Sequence, residues 1–341
     1  MKSYNLCILG FGNIGRALAE LLLEKTAELR TSYDIEWRLT GVATRRLGWI
    51  ADAHGLDVPA LLRGQLPART MSSVQHDVCD WLDVAQADVL FELTSLNAHT
   101  GQPAIDHIRA ALERGAHAIT ANKGAVVHAY SELKALAEAH DVRFLFDATV
   151  MGGAPLFSLF QETLPATRLL SFRGLLNSTS NIILAEMEQG RSLEEAVKKA
   201  QAMGLAETDP AADVDGWDAA VKVCALVNVL MGVPLRLEDV QREGIRGLSI
   251  EIVQAARAAN KPFKLVAHAE RTAGGVVASV QPEQLATDDP LASIGAASLL
   301  AHFELDMIPG LTITLHVPSS GTGGPRIVAY HVLADFIRAV K

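Results

Sequence analysis

The start of the chain limits its fold more than any other stretch. Residues 4–9 (YNLCIL) form a short apolar run of strand type that meets Gly10-Phe11-Gly12-Asn13-Ile14-Gly15, and a helical pattern begins at Arg16. The order strand, GxGxxG, helix is what a dinucleotide-binding turn needs. Gly10 allows the sharp turn, Gly12 removes the side chain that would block a pyrophosphate, and Gly15 lets helix and strand approach closely. The helix start then offers unpaired backbone N–H groups and a partial positive charge to the phosphates. The chain continues in the same rhythm. Strands are expected at 36–43, 88–93, 118–120 and 143–146, with helices to about 29 and at 103–114 and 131–140, and two more near 48–54 and 78–85. Alternation of this kind over about 150 residues is the Rossmann-like, doubly wound pattern with a parallel sheet.

In such sheets ligands bind where the strands end. Three sets of residues fall on that rim: Thr44 with Arg45 and Arg46, Thr94 with Ser95, and Lys123. Sites that prefer NAD place an acid after the second strand to hold the ribose hydroxyls. Here Thr44 and two guanidinium groups stand instead, which suits a 2′-phosphate and favours NADP, with NAD as the alternative. Ordinary loop charges are the competing reading of Arg45 and Arg46.

After Pro155 the rhythm changes. A helix at 156–163 and a strand at 169–176 lead to Asn177-Ser178-Thr179-Ser180-Asn181 and a helix at 182–188, then another at 193–203. Strands at 264–270, 275–281, 297–305 and 311–317 follow at hairpin spacing, and a helix at 327–340 ends the chain. The second half therefore reads as an α+β domain with a mostly antiparallel sheet, one face of which is left for a second copy of the chain. Between these segments lies 204–222, GLAETDPAADVDGWDAAVK, read as a turn that becomes a helix near Asp215. On that helix Asp215, Asp218 and Lys222 would share one face at the mouth of the apolar run 223–230. Charges there are costly to desolvate unless they have partners or work; ion pairs on a solvated first turn are the plainer reading.

Composition narrows the partners. A chain of 341 residues, 49% of them hydrophobic, can bury the cores of two domains, and a formal net charge of −9 argues against nucleic acid or an anionic membrane as the main partner. A small-molecule substrate fits better. Cys7, Cys79 and Cys224 lie in apolar runs without metal-ligand spacing, so they read as buried thiols of a reducing compartment rather than as a zinc site. No signal peptide is visible and no apolar run reaches the roughly 18–20 residues of a membrane span, so a cytoplasmic protein is expected.

Several segments together resemble the homoserine dehydrogenases: GFGNIG at 10–15, TANK at 120–123, DATVMGGAP at 147–155, GLLNSTSNIIL at 174–184, the whole of 204–222, and the GTGG turn at 321–324. The resemblance implies the NAD(P)-dependent, reversible reduction of L-aspartate 4-semialdehyde to L-homoserine on the way to threonine and methionine, by a homodimer. It implies a nucleotide-binding domain at 1–148, completed by the C-terminal helix at 320–341, and a substrate-binding and dimerisation domain at 149–319. By matching motif, Lys222 resembles the proton donor with Asp218 beside it, Lys123 the lysine near the nicotinamide, and Glu207, Asp213 and Thr179 the substrate-holding residues. Gly321 and Gly323 of the last turn join the cofactor set. A monovalent cation, sodium or potassium, would be held by Asp147 and the carbonyls of Val150, Gly152 and Ala154. Asp147 departs from the family's usual Glu, Ser178 from Gly, and the last turn reads SGTGG where GPGAG is common. A dehydrogenase of another small amino-acid alcohol and a catalytically silent nucleotide sensor are the alternatives.

Overall fold

The computed structural model describes residues 1–65, 77–203, 206, 209–316 and 324–341. Two compact units account for them, Met1–Pro155 with Pro325–Lys341, and Leu156–Gly324.

The first unit is built on six strands: β1 (Lys2–Leu9), β2 (Ile35–Thr44), β3 (Gly48–Ala51), β4 (Val89–Glu92), β5 (His117–Thr120) and β6 (Phe144–Leu145), in the order β3-β2-β1-β4-β5-β6. All neighbours are parallel except β2 and β3. The chain leaves β1 toward β2 on one side and returns to β4 on the other, so the strand order reverses between β1 and β4. A crevice opens at their C-terminal ends, and the GxGxxG turn lies there. Beneath the crevice Leu6 and Ile8 of β1, Leu18 and Leu22 of the helix Asn13–Tyr33 and Phe91 of β4 are fully buried. The C-terminal helix Gly324–Val340 joins the same core through Ala329, Val332 and Phe336, the last packed edge-on against Phe91 and Tyr4.

Two local expectations fail here. The helix expected near residues 48–54 is instead β3, antiparallel to β2 in the register Thr44↔Gly48 to Gly41↔Ala51. Gly48 takes a positive φ of 71°, and pairing with a strand already in the sheet outweighs any weak helical pattern in so short a segment. The helix expected at 131–140 begins eight residues earlier, at Lys123, because Asn122 caps it by accepting a hydrogen bond from the Gly124 amide. Lys123 thus opens a helix rather than ending a strand.

In the second unit β7 (Leu169–Leu175), β8 (Gln241–Arg242), β9 (Phe263–Thr272), β10 (Gly275–Gln284), β11 (Leu299–Leu305) and β12 (Leu311–Leu315) form one sheet in the order β12-β11-β7-β9-β10-β8. Every pair is antiparallel except β8 with β10. Leu175, Val266 and Leu300 bury a core cluster with Leu285 and Leu291. The helix Trp217–Leu226 is buried from Val223 to Leu226 and packs on β9 and β10, which makes it a rigid mount for the polar residues at its start. Among the described residues no helix is long and apolar enough to cross a membrane.

Candidate active site

The glycines of the first turn separate by what the fold demands of each. Gly10 has φ +103°, and a Cβ there would stand 2.4 Å from the Leu93 carbonyl oxygen; at Gly15 it would stand 2.3 Å from the Gly10 carbonyl oxygen. Both are fixed by packing. At Gly12 a Cβ would meet nothing within 4 Å among the described residues, so the fold itself does not require a glycine there. Its bareness fits a ligand that comes close to the backbone. Phe11 is buried, Gly12 and Asn13 are exposed, and Ile14 is half-buried. The first intrahelical bond, from the Arg16 amide to the Gly12 carbonyl, leaves the amides of Asn13, Ile14 and Gly15 without helical acceptors, and no acid stands in the first turn to compete for an anion.

The rim beside this turn is organised by a residue the sequence reading passed over. Glu92 ends β4 with its side chain fully buried. One carboxylate oxygen accepts from the amide and the hydroxyl of Thr94, and the other accepts from the Thr120 hydroxyl at 3.2 Å. The Asn122 amide group donates to the carbonyls of Thr94 at 3.3 Å and Ser95 at 3.4 Å. Thr94, Ser95 and the start of the Lys123 helix are therefore tied to one another at the strand ends. An acid closing an apolar strand was the available signal. Thr44, Arg45, Arg46 and Leu47 form the β2–β3 turn, in which the Thr44 hydroxyl accepts from the Leu47 amide. Arg45 and Arg46 are exposed.

The second group of predicted residues gathers in the other unit. Lys222 Nζ lies 2.6 Å from Asp218 Oδ2, one helical turn away, and donates to the Leu176 carbonyl oxygen at 2.6 Å. Its side chain is 14% exposed and that of Asp218 20%, so the pair is largely withdrawn from water while keeping an opening. Asn177 joins the group: its Nδ2 donates to Asp213 Oδ1 at 2.6 Å and to Asp218 Oδ2 at 2.8 Å, while its Oδ1 accepts from the Ser180 amide and hydroxyl. Every hydrogen-bonding valence of this amide is used. Capping explains only the oxygen, and the NH₂ group was the overlooked clue. Thr179, buried at 6% exposure, sits in the first turn of the helix Ser178–Glu188 that Asn177 caps.

Asp215 does not belong to this group. Gly216 adopts φ +78° and delays the expected helix to Trp217–Leu226, while Ala211–Val214, read as turn, forms a short helix of its own. The Asp215 carboxylate turns to Arg246 at 2.8 and 3.1 Å, and that hydrogen bond holds its pKa below the usual carboxylate range. Glu207, Gly321 and Gly323 lie outside the described residues.

The loop at 147–155 does not fit a monovalent cation. Asp147, the one charged member of the expected set, has its Oδ2 2.9 Å from Arg338 Nη1 of the C-terminal helix. The same nitrogen lies 2.7 Å from Asp335 Oδ1, and Asp335 Oδ2 accepts from the Asp147 amide at 3.0 Å. Burial, reinforced by the negative charge of Asp147, pushes Asp335 up to about 8. Further along, the Gly153 amide donates to His331 Nδ1 at 3.1 Å, and burial lowers the pKa of that imidazole. An added cation at Asp147 would stand against a guanidinium. The carbonyls of Val150, Gly152 and Ala154 bring no charge to offset that. Among the described residues no cluster of three His, Cys, Asp or Glu side chains is arranged to hold a metal. The three cysteines are free, and burial pushes Cys7 and Cys224 up to about 12, while Cys79 is only half-buried.

A phosphate-cradling turn at the reversal point of a parallel sheet, with a buried lysine–carboxylate group in a second α+β unit, is the equipment of an NAD(P)-dependent oxidoreductase. Comparison with known proteins narrows this class. Residues 10–147 match the family model for the homoserine dehydrogenase NAD-binding domain, and residues 155–337 that for homoserine dehydrogenase. The NAD(+)-dependent homoserine dehydrogenase of Pseudomonas canavaninivorans is 38% identical over 99% of this chain and 96% of that protein. The crystal structure of a putative homoserine dehydrogenase from Archaeoglobus fulgidus superposes with a TM-score of 0.84 at 30% identity, covering 99% of each chain. A hyperthermophilic archaeal homoserine dehydrogenase mutant in complex with NADPH gives 0.81 at 27% identity, over 99% of this chain and 98% of that one. The chain belongs to the homoserine dehydrogenase family, whose members are NAD(P)-dependent oxidoreductases acting on a CH–OH group.

Proposed function

We propose that Lys222 is the proton donor in the reduction of L-aspartate 4-semialdehyde to L-homoserine, with Asp218 and the Leu176 carbonyl holding its amine in place. The observation that carries this reading is the Lys222 ammonium, paired with Asp218 and anchored to Leu176 in a largely water-free setting. When bound, the reduced nicotinamide supplies the hydride. Negative charge then develops on the aldehyde oxygen, and an ammonium within hydrogen-bond reach both stabilises that charge and hands over the proton. In the reverse direction the lysine amine takes the proton from the homoserine hydroxyl. Asp213, oriented by Asn177, serves the substrate's ammonium group, and Thr179 its neighbourhood. Glu207 is assigned beside Asp213 on the resemblance alone. Lys123 is the second lysine of the reaction, at the nicotinamide end of the crevice.

For the coenzyme we read a preference for NADP. Thr44 replaces the acid that would bind ribose hydroxyls, and Arg45 and Arg46 are exposed at the β2–β3 turn where a 2′-phosphate would lie. The named dependence of the P. canavaninivorans relative on NAD(+) keeps NAD as the competing case. A cytoplasmic homodimer completes the reading: at the sheet edge β12 alternates half-buried Leu311, Ile313 and Leu315 with exposed Thr312 and Thr314, a pattern that a second copy could cover. Steady-state oxidation of homoserine with NADP and with NAD tests both parts. Turnover is expected with both, with the higher kcat/KM for NADP, and Arg45→Ala should lower the NADP value selectively. Equal losses with the two coenzymes would remove the 2′-phosphate role, and no turnover of homoserine above the blank would sink the substrate assignment.

A further inference from the structure

We propose that Arg338 is a built-in counter-cation for the loop at 147–155, so that this protein holds the loop without a bound sodium or potassium ion. The case is geometric. The Arg338 guanidinium reaches Asp147 at 2.9 Å and Asp335 at 2.7 Å through one nitrogen, and the two acids are joined by the bond from the Asp147 amide to Asp335. The side chains of Asp147 and Asp335 are 5% and 1% exposed, so the positive charge they face is not supplied by solvent ions.

A second attachment fixes the far end of the loop. His331 accepts from the Gly153 amide, and the space a Gly152 side chain would fill is taken by Val328, since a Cβ there would stand 2.9 Å from Val328 Cγ2. Val328, His331, Asp335 and Arg338 occur at spacings of three and four, which puts them on one face of the C-terminal helix. That helix is locked into the core of the first unit by Ala329, Val332 and Phe336 on its neighbouring face. The loop is thereby stapled at both ends to a buried helix, with a covalently tethered cation at its one carboxylate. A tethered cation cannot dissociate, so the loop keeps its geometry whatever salt surrounds the protein.

The test compares thermal melting and homoserine oxidation of the whole protein in sodium, potassium and choline chloride at equal ionic strength. The melting arm does not depend on the roles given to Lys222 and Asp213, so a failed residue assignment there leaves it readable. Wild type should melt at the same temperature and turn over at the same rate in all three salts. Arg338→Gln should lose activity by about tenfold or more in choline and recover part of it, with a higher melting temperature, in sodium or potassium or on addition of free guanidinium. A saturable rise in melting temperature or rate of the wild type with sodium or potassium overturns the proposal. A folded Arg338→Gln as active and as indifferent to salt as wild type overturns it too. Should Arg338→Gln fail to fold in every salt, Arg338→Lys decides: a folded, salt-indifferent lysine variant supports the counter-cation role, and a lysine variant that also fails to fold refutes it.

Discussion

The glycine turn and the lysine group are built to offer polar groups to a ligand by different means. Between Gly10 and Gly15 the groups on offer are the backbone amides of Asn13, Ile14 and Gly15, whose geometry is fixed by a strand and a helix start. Around Lys222 they are side chains and the Leu176 carbonyl, drawn from three separate stretches, 176–179, 213 and 218–222, with the Asn177 amide joining Asp213 to Asp218. A backbone site tolerates almost any side chain that does not intrude, whereas a side-chain site depends on each partner keeping its place.

That contrast can be broken by substitution. The largest effect is expected at Lys222: Lys222→Ala should cut kcat by about 10² or more and leave coenzyme affinity nearly unchanged, because it removes the proposed proton donor without touching the glycine turn. Unchanged turnover would take Lys222 out of the mechanism. Next, Asn177→Ala should lower kcat/KM for homoserine by about 10- to 100-fold, since two carboxylates lose their shared donor and Asp218 its position against Lys222. A loss no larger than that of a surface substitution would show that the carboxylates hold themselves. The smallest catalytic change belongs to the glycines, which sharpen the comparison by separating fold from binding. Gly12→Val should weaken coenzyme binding about tenfold while shifting the melting temperature little, because no described residue comes within 4 Å of a Cβ there. Gly10→Ala should instead destabilise the protein, since its φ of +103° and the Leu93 carbonyl at 2.4 Å both exclude a Cβ. Equal melting shifts for the two variants would refute that division of labour.

The same difference explains what could be read from the chain beforehand. The strand, GxGxxG, helix order and the alternation behind it are local patterns, each set by residues a few positions apart, so the doubly wound sheet was legible. The antiparallel sheet of the second half was legible from hairpin spacing. The i,i+4 relation of Asp218 and Lys222 was legible for the same reason. Two failures turned on partners that the short patterns do not contain. Residues 48–51 became a strand because β2 lay beside them, and Asp215 left the charged face because Gly216 turned the chain and Arg246, 31 residues on, took its carboxylate.

Sequence alone determined the family, the parallel sheet and the i,i+4 spacing of Asp218 and Lys222, because these depend on periodicity and on motifs a few residues long. Only the tertiary structure decided which groups meet. It set Asn177 between two carboxylates and brought Arg338 to Asp147 across 191 positions of chain. A buried charge takes whichever opposite charge the completed fold delivers to it, and sequence separation carries no information about that delivery.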